Sequence, residues 1–367
     1  MRRTQTETAK YVASNGLAYS NTAVMERRFF PTETELESDG AEQAALHERA
    51  AAAARGVFGR NIFVRAVVEI SNFCREQCAY CGMRRTNRDL HRYRAQADQL
   101  AELIINHRPA CVTDINIQAG EDPVAVREVA VPLIKALRRE TALGVSVCLG
   151  TLNPELYCEL QAAGASMYIM KFECADPLKY AEYQAPGTLA QREEHIRQLA
   201  SDGWAVSSGF IVGLPGQSPS SILQNLNFAA SLPLRGCSVS PFIPGEATPL
   251  AQCPPGNVNW TLNAMASLRL MQPKWVIPVV SALNLAEEDG YRHGLRTGAN
   301  LATINLTPDE VRRDYVIYKR DRFIMTEERV FNAIAAEGLV VSPRSLVDHF
   351  RNGVTHPAAQ PHQAVVK

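Results

Sequence analysis

From residue 63 onward, short β-branched runs alternate with amphipathic segments. Residues 63–70 (FVRAVVEI) read as a buried strand, because so short an apolar run suits a sheet covered on both faces. Residues 95–107 carry apolar positions at helical spacing, and 112–118 (VTDINIQ) return to strand. The alternation continues with helix 122–139, strand 145–149, helix 154–163, strand 166–172 and helix 189–201. Strand 205–212, helix 219–231, strand 236–242, helix 258–271, strand 275–280, helix 287–296 and strand 301–305 complete it. Asn153 before Pro154 has the form of an N-cap followed by proline at the first helical position.

About eight β/α units in roughly 240 residues is the size of a (β/α)8 barrel. The expected fold is therefore α/β: a complete (β/α)8 TIM-type barrel over 61–320, preceded by an N-terminal helical lead-in over 1–60. A doubly wound open sheet is the alternative, because strand order is not visible in a sequence. Either arrangement puts chemistry at the C-terminal ends of the strands. An alanine-rich helix around 41–55 belongs to the lead-in, and 321–351 reads as a helical extension. The polar, proline-bearing stretch 352–367 is expected to be a disordered tail.

Composition narrows the function. The 367 residues are 46% hydrophobic, enough for a large core without a disulfide scaffold. Lys+Arg and Asp+Glu both number 38, so no strongly basic surface favours nucleic acid or an anionic membrane, and neither is an expected partner. No run approaches the roughly 20 apolar residues of a membrane helix. The N-terminus lacks the apolar core of a signal peptide, so a cytoplasmic location with reduced thiols is expected.

Three of the nine cysteines, Cys74, Cys78 and Cys81, fall in one short loop after the first strand. Thiolates are soft ligands for zinc or iron–sulfur clusters, and three are one short of a closed structural zinc site. A zinc knuckle completed by His91 or a distant cysteine is the competing possibility. Cys111, Cys148, Cys158, Cys174, Cys237 and Cys253 read as core or subsurface residues.

The spacing CxxxCxxC, with Tyr80 before the last cysteine, resembles the radical S-adenosylmethionine (SAM) superfamily. That resemblance implies one [4Fe–4S] cluster held by Cys74, Cys78 and Cys81, with SAM chelated to its fourth iron. It also implies reductive cleavage of SAM to methionine and a 5′-deoxyadenosyl radical. A cytosolic electron donor such as flavodoxin or ferredoxin would supply the electron. The segments 68–74, 82–85 and 92–94 are similar to the biotin synthase-like branch, above all to the HydE-type hydrogenase maturases and the methylornithine synthases.

Within that likeness, Gly120 and Glu121 match a segment whose backbone meets the SAM amino group. Glu173 and Arg192 match a pair that contacts SAM, the arginine through the carboxylate. Ile211 and Gly213 match a glycine-rich strand beside the adenine, which Tyr80 approaches through its backbone. The other cysteine positions of biotin synthases are Asn116, Ser146 and Ser207 here, so sulfur insertion from a second cluster is not expected. Tyr315 and Tyr318 match a tyrosine pair lining the HydE-type substrate cavity. Lys171 and Ser281 replace other residues there, so the substrate end is altered while the SAM end is kept. Lys171 and Ser281, with the two tyrosines, are the candidate substrate residues, and the expected substrate is a small, polar, amino-acid-like molecule. A HydE-like reaction is the leading expectation. A carbon-skeleton mutase resembling methylornithine synthase, and a non-enzymatic metal- or cluster-binding barrel, are the alternatives.

Overall fold

The computed structural model describes residues 29–321 and 323–352. Residues 1–28 of the lead-in and all but the first position of the tail expected at 352–367 lie outside the described residues. Seven parallel strands form one curled sheet: β1 (Asn61–Ser71), β2 (Asp114–Ala119), β3 (Gly144–Cys148), β4 (Met167–Ile169), β5 (Ala205–Val212), β6 (Gly236–Pro241) and β7 (Leu301–Asn305). Their order is β6-β5-β4-β3-β2-β1-β7, which is not the order of a doubly wound open sheet. Helices between successive strands cover the outer face, and β1 is buried over nearly its whole length.

The complete eight-stranded barrel is not formed by regular strands. The segment expected as a strand at 275–280 makes only isolated bridges, Val276 to Gly236 and Pro278 to Leu301. Pro278 supplies no N–H, so a continuous ladder cannot run through it. Proline also interrupts the helix expected over 122–139. It is built as Pro123–Ala125, a π-helical turn Val126–Ala130, and Val131–Glu140. Pro132 cannot donate to the carbonyl four residues back, and a π turn absorbs the break.

The strand expected at 166–172 stops at Ile169. Beyond it the chain makes a single bridge from Glu173 to Phe210, and Glu173 adopts a left-handed φ of 59°. Such a backbone costs a residue with a Cβ roughly 1–2 kcal/mol.

Before the sheet, helices Glu33–Glu37 and Gly40–Phe58 pack on the helix Val258–Met271. After it, the chain returns through the helix Glu327–Ala336, a short strand β8 (Val340–Val341) paired with the start of β1, and the helix Leu346–Asn352. Leu346, Val347 and Phe350 pack against Phe63, Met167, Val276 and Leu301, covering the N-terminal end of the strands. The opposite, C-terminal ends are therefore the open mouth.

Candidate functional site

The cysteine loop leaves β1 at Ser71 and is held by residues that are not thiols. The Asn72 amide donates to the carbonyls of His91 and Asp314, at 2.7 Å each, and its oxygen accepts from Tyr93 N–H at 2.8 Å. Arg92 reaches four carbonyls across the loop: Asn72, Met83 at 2.9 Å, Arg84 at 2.8 Å and Asn87 at 3.1 Å. Arg94 forms a fork to Asp122 at 2.7 and 3.0 Å, and its guanidinium lies 4.2 Å over the Phe73 ring. Ser71 donates to the same carboxylate at 2.7 Å.

Cys74, Cys78 and Cys81 face a cavity of about 230 Å³ at the mouth of the sheet. Burial pushes all three thiols up, Cys81 to about 12. Among the described residues no three Cys, His, Asp or Glu side chains converge tightly enough for one metal ion. Nor does His91 join the thiols: its ring nitrogen meets Asp314 at 3.3 Å. The zinc knuckle is therefore not supported. Three soft donors on one cavity wall are the residues that would hold an iron–sulfur cluster.

Tyr80, Gly120, Glu121, Glu173, Arg192 and Ile211 line the same cavity, so the fold gathers six positions spread over 132 residues of sequence into one wall. Gly120 must be glycine: a Cβ there would sit 2.2 Å from the Phe73 carbonyl oxygen and 2.8 Å from Cys74 Cβ. The end of β2 is thereby pressed against the cysteine loop, and Glu121 N–H points to Cys74 Sγ at 3.4 Å. Gly213 is not brought to the cavity. Its φ of 87° and its packing on Gly256, 2.3 Å from where a Cβ would stand, account for the glycine.

Arg192 is 3% exposed and pairs with Glu121 at 3.0 Å, not with Glu173. Burial opposes its charge, yet the Glu121 carboxylate holds its pKa above the ordinary value. Glu121 also meets Arg75 at 3.3 Å. Burial raises the Glu173 carboxyl, Lys171 and Arg192 only partly offset this, and its Oε2 is buried with no hydrogen-bond partner among the described residues.

Lys171, Tyr315 and Tyr318 complete the cavity wall. Lys171 and Tyr318 also line a second, deeper cavity of about 190 Å³ that holds Ser281 and Arg65. Ser281 thus lines this second cavity and not the one that holds the cysteines. Lys171 makes no ion pair or hydrogen bond among the described residues. Burial works against its charge, but Glu173, Cys148 and Tyr318 together outweigh it and raise its pKa. Arg65 bonds Thr303 at 3.1 Å, and burial lowers its pKa to about 10.

Sequence reasoning passed over several wall residues. Gly150, with φ 72°, lies where a Cβ would strike the Glu121 side chain at 2.1 Å. Pro186, Phe242 and Ile243 supply apolar wall from loops distant in sequence. The Gly150 signal was available as a glycine two residues after β3; the others carried none.

Comparison with known proteins agrees with this geometry. A family model described as the radical SAM superfamily matches residues 68–229. The [FeFe] hydrogenase maturase subunit HydE of Thermotoga maritima is 31% identical over 298 residues, covering 80% of this chain and 85% of that protein. The 3-methylornithine synthase of Methanosarcina acetivorans is 27% identical, over 72% of this chain and 75% of its own. The crystal structure of a methylornithine synthase (PylB) shares the fold, with a TM-score of 0.76 at 22% identity, over 86% of this chain and 96% of that one. The chain belongs to the radical SAM superfamily. It is an enzyme of that class, with relatives among hydrogenase maturases and methylornithine synthases, and its cofactors are a [4Fe–4S] cluster and SAM. Among the described residues no helix is long and apolar enough to cross a membrane.

Proposed function

We propose that this enzyme carries out a HydE-like reaction on a small, polar, amino-acid-like substrate held between Lys171 and the deeper cavity. The observation that carries this reading is Lys171: a half-buried side chain with no hydrogen bond or ion pair among the described residues, on the wall shared by both cavities. A half-buried ammonium with no direct hydrogen-bond partner is a ready site for an anionic group of a ligand, which would complete its desolvated side. A substrate carboxylate has the right charge and size.

In this reading Cys74, Cys78 and Cys81 hold the cluster. Gly120 and Glu121 offer backbone to the SAM amino group, and Glu173 and Arg192 bind at its polar end. Tyr80 and Ile211 flank the adenine, while Gly213 only shapes the end of β5. When bound, the cluster and SAM together supply a 5′-deoxyadenosyl radical. The protein's share is to orient and enclose. Ser281 would hold the distal end of the substrate, and Tyr315 and Tyr318 close over it. Segment 275–280 would act as the irregular eighth stave, since its bridges reach both β6 and β7. A reduced carrier protein would deliver the electron.

The test begins with anaerobic reconstitution. One [4Fe–4S] cluster per chain and 5′-deoxyadenosine on reduction are expected; stoichiometric zinc without SAM cleavage would refute the assignment. Lys171→Met should then keep uncoupled SAM cleavage while losing deuterium transfer from labelled substrate into 5′-deoxyadenosine. Normal substrate turnover by that variant would overturn the substrate pocket.

A further inference from the structure

Two cationic side chains line the second cavity at different depths. Strand pairing puts Val67, Asn116, Ser146 and Met167 at one level. Arg65 stands two residues below that level on β1, towards the end of the sheet that Leu346, Val347 and Phe350 cover. Lys171 stands four residues above it, beyond the end of β4. They are close enough that Arg65 works against the charge on Lys171.

The floor around Arg65 holds donors that the fold does not use. Arg65 is half-buried, and its Nε donates to Thr303 Oγ1 at 3.1 Å. Its two terminal nitrogens form no hydrogen bond or ion pair among the described residues. Tyr291 is 2% exposed, lines the same cavity, and lies near enough to Arg65 to influence its charge. Its hydroxyl is buried without a well-formed hydrogen bond among the described residues, although the Thr303 backbone approaches it. A buried polar group left unmet is destabilising, and an acceptor brought by a ligand removes that cost.

Three carboxylates stand in the neighbourhood, and none meets these donors. Glu69 accepts from the Gln118 amide at 3.3 Å and the Asn305 amide at 3.2 Å. Asp114 is paired in register with Arg65, but its Oδ2 accepts from the Thr113 hydroxyl at 2.8 Å and from Leu346 N–H at 2.9 Å. Its Oδ1 lies against Gly144, where a Cβ would strike it. Glu173 lines the cysteine cavity and not this one. The case therefore rests on unused donors and not on an excess of positive charge.

We propose that Arg65, Tyr291 and Thr303 form a carboxylate subsite, and that the substrate is an amino acid with a second carboxylate on its side chain. The proposal deepens the reading above, in which Lys171 holds the first carboxylate. The Arg65 fork offers parallel N–H bonds to a carboxylate, and Tyr291 adds an O–H. Thr303 fixes the fork through Nε, which leaves its outer edge free for the ligand. A neutral amide would use some of these donors but leave Arg65 and Lys171 facing each other. A diamino acid would add a further cation to the cavity. A site built on donors for one group rejects the analogue lacking it.

The test measures equilibrium binding to the oxidised, reconstituted enzyme with SAM present, where no turnover occurs. The probes are L-aspartate, L-glutamate and L-2-aminoadipate, each beside its ω-amide, with L-ornithine and acetate for comparison. One of the three acids should bind at least about tenfold tighter than its amide, the scale of one hydrogen bond to a charged group, and ornithine should bind more weakly than either. Arg65→Met should erase that preference while leaving the affinity for the amide unchanged. Tyr291→Phe, which removes a single oxygen, should weaken the acid about tenfold, and it decides if circular dichroism shows that Arg65→Met does not fold. The absence of any acid preference in the wild type overturns the proposal. So does a preference that survives Arg65→Met or, where that variant is unfolded, Tyr291→Phe. Acetate binding as tightly as the preferred acid also overturns it, because the floor would then take a free carboxylate and set no substrate class. Lys171→Met tests the earlier reading separately: it should weaken acid and amide alike, and if it changes neither while Arg65→Met erases the preference, the Lys171 assignment falls and the subsite at Arg65 stands.

Discussion

Replacing Glu121 by Ala isolates the buried ion pair at the back of the cavity. Arg192 would keep its charge at 3% exposure, with the Tyr180 hydroxyl at 3.5 Å its one remaining side-chain hydrogen-bond partner among the described residues. Stranding a buried charge in this way costs about 3–5 kcal/mol. The reverse truncation is not equivalent. In Arg192→Ala the Glu121 carboxylate retains Arg75 at 3.3 Å, whose side chain is 47% exposed, and through it a route to solvent. That loss should be nearer 1–3 kcal/mol, the scale of removing one charged hydrogen bond. Equilibrium urea unfolding of the cofactor-free protein reads both values from the midpoint and slope. The double variant should be less destabilised than the sum of the singles, with a coupling of roughly 1 kcal/mol or more. The reasoning is refuted if Glu121→Ala costs less than about 1 kcal/mol, or if Arg192→Ala costs more than Glu121→Ala.

Other outcomes follow from the same site. Replacing any of Cys74, Cys78 or Cys81 by Ala should abolish cluster loading and SAM cleavage, whereas Cys148→Ala and Cys174→Ala should retain both; iron and sulfide analysis decides. Arg192→Ala should also weaken SAM binding about tenfold or more, since a charged hydrogen bond is worth roughly 1.5–3 kcal/mol, and equilibrium titration checks it. Because burial raises the folded pKa of Glu173 above 4.5, the folded chain holds a proton that the unfolded chain releases. Stability therefore falls as pH rises from 4.5 towards the raised value. Glu173→Gln should flatten that slope and be more stable than wild type at neutral pH while binding SAM less well; an unchanged pH profile would contradict the assignment. Arg92→Lys should lower cluster loading, because an ammonium cannot reach four carbonyls arranged around a planar fork, and normal iron content would refute that role.

Much of this site was legible in the sequence because its parts are local. The cysteine spacing, the strand before it, and Gly120 next to Glu121 each combine a residue type with a position on a predicted element. What was hidden is non-local. Arg192 reads as a partner of the SAM carboxylate, and nothing in the sequence shows that the fold also brings it against Glu121, 71 residues earlier. Gly213 looks like a ligand-facing glycine but meets the backbone of Gly256 in a later loop. In the fold, periodicity located the elements but not their regularity: Pro132 and Pro278 replaced a smooth helix and a full strand by a π turn and isolated bridges. Ser281, expected on one wall with Lys171 and both tyrosines, lines the cavity beside Lys171 and Tyr318 but not the one that holds the cysteines, because sequence gives the strand end and not which cavity it meets.

The grip of Asn72, Arg92 and Asp122 on the cysteine loop has a consequence for the life of the protein in air. Small zinc domains owe their fold to the metal, so losing it unravels them. Here the loop is shaped by amide, guanidinium and carboxylate groups, and none of those bonds passes through sulfur. Oxygen that dissolves an exposed cluster would therefore leave a receptor of unchanged form. Damage becomes a matter of refilling, not refolding, and a molecule stripped by oxidation can return to service once iron and sulfide are supplied and its thiols reduced.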